Sequence, residues 1–372
     1  MTNLISNIEL PHSISLLEKM AAASIEKGPF TYVQSGSGAE NTLRANVNAF
    51  EDWHIVPKVL NDVSIRDTST QVLGTKFPSS FGLAPVGVQS IFHADGELAS
   101  ARAAAHYGVP FIASTLTSYS LEEIATALGK SPRWFQLYWS NDIEITLSMV
   151  RRAEVAGYSA IVITLDTTIL GNRERDLNNS YSPLKLGKGS ANYINDPVFQ
   201  SRLGDSSSND QAVIKKIVDV MFAPALTWDD LRTIKNHTSL PILLKGILHE
   251  EDARKALHYG ADGIIVSNHG GRQLDGCISS LEALPPIAEA IQGNIPILLD
   301  SGIRRGPDVI KAKALGATAV LLGRPFVYGL AVAGEQGVRH VLNHLINDID
   351  ISLALTGLSL MEQVNYSVIR KK

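Results

Sequence analysis

Eight short apolar runs recur along this chain, each closed by turn-forming or polar residues. They are FGLAPVG (81–87), VPFIAST (109–115), RWFQLYW (133–139), AIVITLD (160–166), PILLKGI (241–247), GIIVSNHG (263–270), PILLDSG (296–302) and AVLLGRP (319–325). Runs of this length, apolar throughout rather than alternating, read as strands buried on both faces. Between most of them lie polar–apolar stretches with helical spacing, such as DGELASARAAAHYG, EEDARKALHYGA and GPDVIKAKALGA. Alternation of strand and helix repeated eight times predicts an α/β fold, a single (β/α)₈ barrel spanning residues 1–372. A doubly wound open sheet is the competing architecture, but it usually uses fewer units.

Two parts of the chain stand outside this rhythm. Residues 1–77 precede the first run and are expected to form a helical segment. Between the fourth and fifth runs lie about 75 residues, where other gaps are about 15 to 25. This excursion, about 171–226, is expected to be an extended loop at the catalytic face, with Ser206-Ser207-Ser208-Asn209-Asp210 as a mobile tip. A lid is the functional reading of such a loop, and a disordered surface insertion the bland one.

Composition narrows the partners. The net charge of −4 gives no electrostatic case for nucleic acid or an anionic membrane. A lone cysteine, Cys277, excludes an intrachain disulfide and a cysteine-based zinc cluster. The opening residues carry charges and Pro11 where a signal peptide would be apolar, and no run reads as a membrane span. A cytoplasmic protein is expected.

Polar groups sit where a barrel places its chemistry, at the carboxyl ends of the strands. The runs end in Gln136 and Tyr138, Thr164 and Asp166, Lys245, Ser267 and His269, Asp300, and Arg324. In SNHGGRQLDG (267–276), glycines leave a histidine uncrowded, and Arg272 supplies a planar cation suited to a carboxylate. The seventh and eighth runs end in DSGIRRG and GRP, where Gly302, Gly323, Arg304 and Arg324 suit a phosphate. Ordinary strand-to-helix turns and surface ion pairs are the bland reading of the same residues. The other histidines, such as His93, His106, His258 and His340, are read as surface or core, and no metal is expected.

Together SNHGGRQLDG, LLDSGIRRGPDVIKA and LLGRPFVYGLA resemble the FMN-dependent L-2-hydroxy acid oxidase family over nearly the whole chain. The resemblance implies FMN as cofactor, held by Pro85, Val86, Gly87, Ser114, Gln136, Thr164, Lys245, Ser267, Asp300, Gly302, Arg304, Gly323 and Arg324. It implies that Arg173 and Arg272 hold a substrate carboxylate with Tyr32, and that Tyr138 contacts the reacting oxygen. His269 would take a proton, with Asp166 pairing to the imidazolium. It also implies a small-molecule substrate and a homotetramer. Dehydrogenases using a quinone or cytochrome share these motifs, and O₂ is the expected acceptor because no cytochrome domain or membrane insertion is evident.

Within that family the chain is a mosaic. Gly87 resembles lactate 2-monooxygenase, since lactate oxidases commonly carry alanine there, and the missing methyl is read as space above the flavin. ANYINDPVF, RRAEVAGYSAIVITLDT and GVPFIASTL also resemble the monooxygenase, whereas GNRERDLNN resembles the oxidases. The expectation leans to lactate 2-monooxygenase, with L-lactate oxidase as the alternative and Leu116 setting substrate size. Two other classes compete: an aldolase barrel using Lys245 for a Schiff base, and a non-catalytic binding barrel.

Overall fold

The computed structural model describes residues 9–204 and 209–372. The eight apolar runs form β1 (Phe81–Leu83), β2 (Phe111–Ala113), β3 (Arg133–Tyr138), β4 (Ile161–Thr164), β5 (Ile242–Ile247), β6 (Gly263–Val266), β7 (Ile297–Leu299) and β8 (Ala319–Leu322). Each pairs in parallel with the next and β8 returns to β1, so the sheet closes into a barrel with helices between the strands. This is the (β/α)₈ architecture expected from the pattern. The register sets Tyr138 beside Thr164, and Thr164 beside Lys245, so three neighbouring strands deliver one row of polar groups at their carboxyl ends.

The strands lack alternation because both of their faces are covered. Inward side chains such as Ile112, Trp134, Val162, Leu243, Ile265, Leu298 and Leu321 fill the barrel, and the outward ones pack under the helices. The amino end is plugged by a hairpin, Thr70–Val72 with Thr75–Phe77. Its Phe77 ring lies edge-on to Trp134 at 5.5 Å, and Thr75 Oγ1 accepts the Trp134 indole N–H at 3.1 Å. The chemistry is thereby left to the opposite, carboxyl end.

The expectation of a helical segment over 1–77 holds only in part. Helices occupy Ile14–Ser24, Lys27–Gln34 and Asn41–Asn48. Beyond them, Trp53–Ile55 pairs antiparallel with Ile369–Lys371, and the plugging hairpin follows. The hairpin was legible in TQVLGTKF: period-two residues flank Leu73-Gly74, both with positive φ (49° and 75°), as tight hairpin turns require.

The excursion is not a loop. It carries helices Glu174–Asn178, Ala191–Ile194, Pro197–Leu203 and Asp210–Val220. Asn192, Tyr193, Asp196 and Phe199 are fully buried. Asn192 donates to the carbonyls of Ser114 and Thr115 and accepts from the Leu121 N–H, while Asp196 accepts from Ser148 and Arg152. Bonds of this kind are worth about 1 kcal/mol each net, and leaving buried partners unpaired costs more, so this half is pinned to the barrel. Of the expected mobile tip, Ser206–Ser208 lie outside the described residues. Asn209 caps the helix Asp210–Val220 by accepting the Gln211 and Ala212 N–H groups.

Candidate active site

A cavity of about 660 Å³ opens at the carboxyl ends of the strands, within the size range of small-molecule sites. Seven cationic side chains line it (Arg173, Lys185, Lys188, Lys245, Arg272, Arg304 and Arg324) against two carboxylates, Asp176 and Asp300. A chain of net charge −4 thus presents a positive pocket, which suits anionic ligands.

On one wall, His269 Nδ1 lies 2.9 Å from Asp166 Oδ1. Thr167 Oγ1 donates to the same carboxylate oxygen at 2.9 Å and sits 3.3 Å from the ring nitrogen. Gln273 fixes Asp166 from behind, its amide donating to the Asp166 carbonyl at 2.8 Å. His269 adopts φ 60°, uncommon for a side-chain-bearing residue, and is held there by its N–H to Ser267 Oγ. With Nδ1 engaged, Nε2 is the nitrogen left for a ligand. Burial lowers the affinity of His269 for a proton, and Lys245 and Arg173 add to that, while Asp166 opposes them; the net direction is down. Burial pushes Asp166 the other way, but the His269 and Lys245 charges prevail and hold it at about 2. The resting pair is therefore a neutral imidazole against a carboxylate. An imidazolium would form only when His269 gains a proton from a ligand, and Asp166 then stabilises it.

Facing this pair, Arg272 stacks over the Tyr32 ring at 4.7 Å and donates through Nη1 to the carbonyls of Tyr32 and Ser35. Among the described residues its Nη2 is buried without a hydrogen-bond partner, and the nearest carboxylate, Asp176, is 3.9 Å away. Burial and the neighbouring Arg173 bring Arg272 down to about 9, which still leaves it charged at neutral pH. Arg173 donates only to the Arg272 carbonyl and the Gln273 side chain, with no carboxylate in ion-pair range among the described residues. Two guanidiniums lacking a full counter-anion make a carboxylate site. Tyr138 lines the same space, and burial, with Asp166 adding, keeps its hydroxyl protonated as a donor.

Deeper in the cavity Lys245 bonds to Asp300 at 3.2 Å and to Ser267 Oγ at 2.8 Å. Pro85, Val86, Gly87, Ser114, Leu116, Gln136 and Thr164 line the cavity at the ends of β1 to β4, and Gly302, Arg304, Gly323 and Arg324 line it after β7 and β8. Gln136 Oε1 accepts from Ser114 and Thr115, which leaves its Nε2 a buried donor without a partner.

Three comparisons with known proteins bear on this geometry. Residues 21–371 match the family profile described as FMN-dependent dehydrogenase. The chain belongs to that family. It is 50% identical to an L-lactate oxidase of Lysinibacillus sphaericus over 360 residues, 97% of this chain and 93% of that protein. An L-lactate oxidase of Nostoc is 42% identical, covering 97% of this chain and 98% of the relative. A solved structure of mandelate oxidase with (S)-4-hydroxymandelic acid superposes with a TM-score of 0.87 at 40% identity, covering 97% and 99% of the two chains.

An FMN-dependent dehydrogenase of this kind oxidises a 2-hydroxy acid with FMN as cofactor, and the cavity fits that cofactor. The orphaned Gln136 amide is a donor for a polar ring edge, Lys245 is a buried cation, and Arg304 and Arg324 suit a phosphate. A methyl at Gly323 would meet only the Ala84 side chain, at 4.0 Å, so the backbone there is open to a ligand. Gly302 lines the cavity too, but its lack of a side chain also answers to packing. Its φ is +104°, and a side chain there would collide with the Asn46 carbonyl.

Two expectations for this dehydrogenase need correction. Ser267 does not line the cavity; it is fully buried behind Lys245, joining that ammonium to the His269 backbone. Gly270 and Gly271 do not make room for substrate: side chains there would meet the Arg324 guanidinium and the Leu43 backbone. Asp166 also lies behind the lining, as a partner of His269 should. The sequence reading missed Thr167, Gln273, Asp176 and Tyr181, which orient the histidine, the arginines and the Tyr32 ring. Thr167 and Gln273 adjoin recognised residues, so proximity could have flagged them. Tyr181 carries no local signal.

Proposed function

We propose that the protein is an L-lactate oxidase, converting L-lactate and O₂ to pyruvate and H₂O₂. The observation that carries the reading is His269, paired to Asp166 at 2.9 Å, facing two arginines with an unsatisfied guanidinium nitrogen. Arg173 and Arg272, with Tyr32, hold the substrate carboxylate. Tyr138 donates to the substrate oxygen, and His269 Nε2 accepts the hydroxyl proton as Asp166 offsets the new charge. When bound, FMN supplies a two-electron acceptor at the α-carbon. Pro85, Val86, Gly87, Ser114, Gln136, Thr164 and Lys245 would hold its ring system, with Asp300 and Ser267 fixing Lys245. Gly302, Arg304, Gly323 and Arg324 would hold its phosphate.

The lean towards the 2-monooxygenase is withdrawn. It rested on the excursion and on Gly87 opening space above the flavin, but a methyl at Gly87 would lie 2.5 Å from the Leu116 carbonyl oxygen. The missing methyl makes room for protein backbone. Two relatives named L-lactate oxidase support the same choice. Aerobic turnover of L-lactate tests it, with O₂, H₂O₂, pyruvate and acetate followed in one vessel. H₂O₂ and pyruvate equal to the O₂ consumed are expected. Acetate matching O₂ with little peroxide would restore the monooxygenase.

A further inference from the structure

Glu97 is fully buried on the helix Gly96–Tyr107 that follows β1, and the chemistry above does not use it. Its Oε1 accepts two backbone N–H groups, Gln89 at 2.8 Å and Ser118 at 3.2 Å, while Oε2 has no partner among the described residues. Gln89 follows β1 and Ser118 follows β2, so one carboxylate joins the turns after two neighbouring strands. Around this joint, Gln89 donates its amide to the Val86 carbonyl and accepts from Ser100. Val88 donates its N–H to the Leu116 carbonyl, and Ser90 bonds Ser118. Val88 has φ 51°, a left-handed conformation that a β-branched residue adopts only under constraint. Val86, Gly87, Ser114 and Leu116 of the same two turns line the cavity.

We propose that Glu97 is a positioning residue for the cofactor-facing wall, its carboxylate clamping the two turns so that Val86 and Gly87 are held against the ligand. The inference rests on the reading of that wall as an FMN contact. A charge is a costly way to fill a buried position, and a neutral amide would serve packing at least as well. What the charge adds is strength in the bonds to the two N–H groups. Burial raises Glu97 to about 7, with the backbone N–H groups of Gln89 and Ser118 opposing it. Near neutral pH the carboxyl is therefore divided between its two forms, and holding the ionised one carries a stability cost that grows as the pH rises through 7.

Tyr119, from beyond β2, feels the charge of Glu97 together with those of Asp95, Glu123 and Arg102, and no charged side chain is among the causes that shift Glu97 itself. Arg102 is engaged with Asp95 and Glu335, and Arg339 with Glu335. None of these groups hydrogen-bonds Glu97.

The test compares the full-length holoenzyme with its Glu97→Gln variant between pH 5.5 and 8.5, reading FMN release on dilution by flavin fluorescence and Tm in the same buffers. At pH 8.5 the variant should bind FMN about tenfold more weakly, as expected for losing charge assistance in two hydrogen bonds. Its Tm should be equal or higher there, because no charge is buried. The difference in FMN affinity should shrink towards none at pH 5.5, where the wild type has itself lost the charge. A pH-independent difference, no difference at all, or a variant that fails to fold would overturn the positioning role. A wild-type protein that binds no FMN at any pH would overturn the reading of the wall, and the clamp with it.

Discussion

Asp166 Oδ1 and His269 Nδ1 stand 2.9 Å apart, yet they come from β4 and β6, which are separated by all of β5. The pairing depends on the register of the barrel; burial leaves His269 neutral at rest, and the carboxylate stands ready for the charged form.

Removing that carboxylate should have two effects. Asp166→Asn should cut kcat/KM for L-lactate by about 10²–10⁴-fold, the usual worth of oriented acid–base chemistry, while FMN stays bound. The sign of the pH effect follows from the balance at His269, whose proton affinity burial lowers and Asp166 raises. Activity that needs neutral His269 falls as pH drops through the histidine's pKa. Without Asp166 that pKa moves lower still, so the acid limb of the kcat/KM profile should shift to lower pH as its plateau falls. An unshifted limb would remove the pair from the mechanism.

Arg272 binds through geometry as much as charge. Its guanidinium stacks on Tyr32, donates to two carbonyls and keeps one buried nitrogen free. Lysine cannot reproduce the fork or the stack. Arg272→Lys should lower kcat/KM by roughly 30–200-fold, about the 2–3 kcal/mol of a charged hydrogen bond, with FMN content unchanged. Steady-state kinetics and the flavin absorbance of the purified variant check both halves.

Much of this site was legible beforehand because barrel strands carry their chemistry at fixed ends. Tyr138, Thr164, Lys245 and Asp300 needed only the periodicity of their own runs to be placed at the mouth. Arg173 was harder, since its charged neighbours read equally well as a surface network; its position against Arg272 depends on how the excursion folds back. The excursion itself was misread as a loop, because its short helices are stabilised by buried anchors such as Asn192 and Asp196, whose partners lie far away in sequence. Ser267 and the paired glycines were misassigned for a related reason. A motif names which residues matter without saying which side of them faces the ligand.

Lys245 and Asp300 are nearly buried at 5% and 8% side-chain exposure, 3.2 Å apart. Lys245→Met would strand the Asp300 carboxylate, so unfolding stability should fall by about 3–5 kcal/mol, the usual cost of breaking a buried pair. Lys245→Met combined with Asp300→Asn should recover most of that loss. Denaturant titration of the wild type, both single variants and the double variant measures the coupling. Additive losses would mean that the pair is not felt as a pair.

Gly87 separates the two chemical outcomes most directly. A methyl there would press on the Leu116 carbonyl, which already accepts the Val88 N–H at 2.8 Å. The carbonyl cannot retreat without disturbing Val88, whose backbone is already in a left-handed conformation. Gly87→Ala should therefore cost about 1–3 kcal/mol of stability, as overpacking does, seen as a lowered Tm. Because the methyl is aimed at backbone and not at the space where product waits, the ratio of H₂O₂ formed to O₂ consumed should stay at the wild-type value. If wild type makes acetate and the alanine variant makes peroxide, the residue does govern how long pyruvate is retained, and the withdrawn reading returns. If both make peroxide in step with O₂, product release is set elsewhere in the cavity.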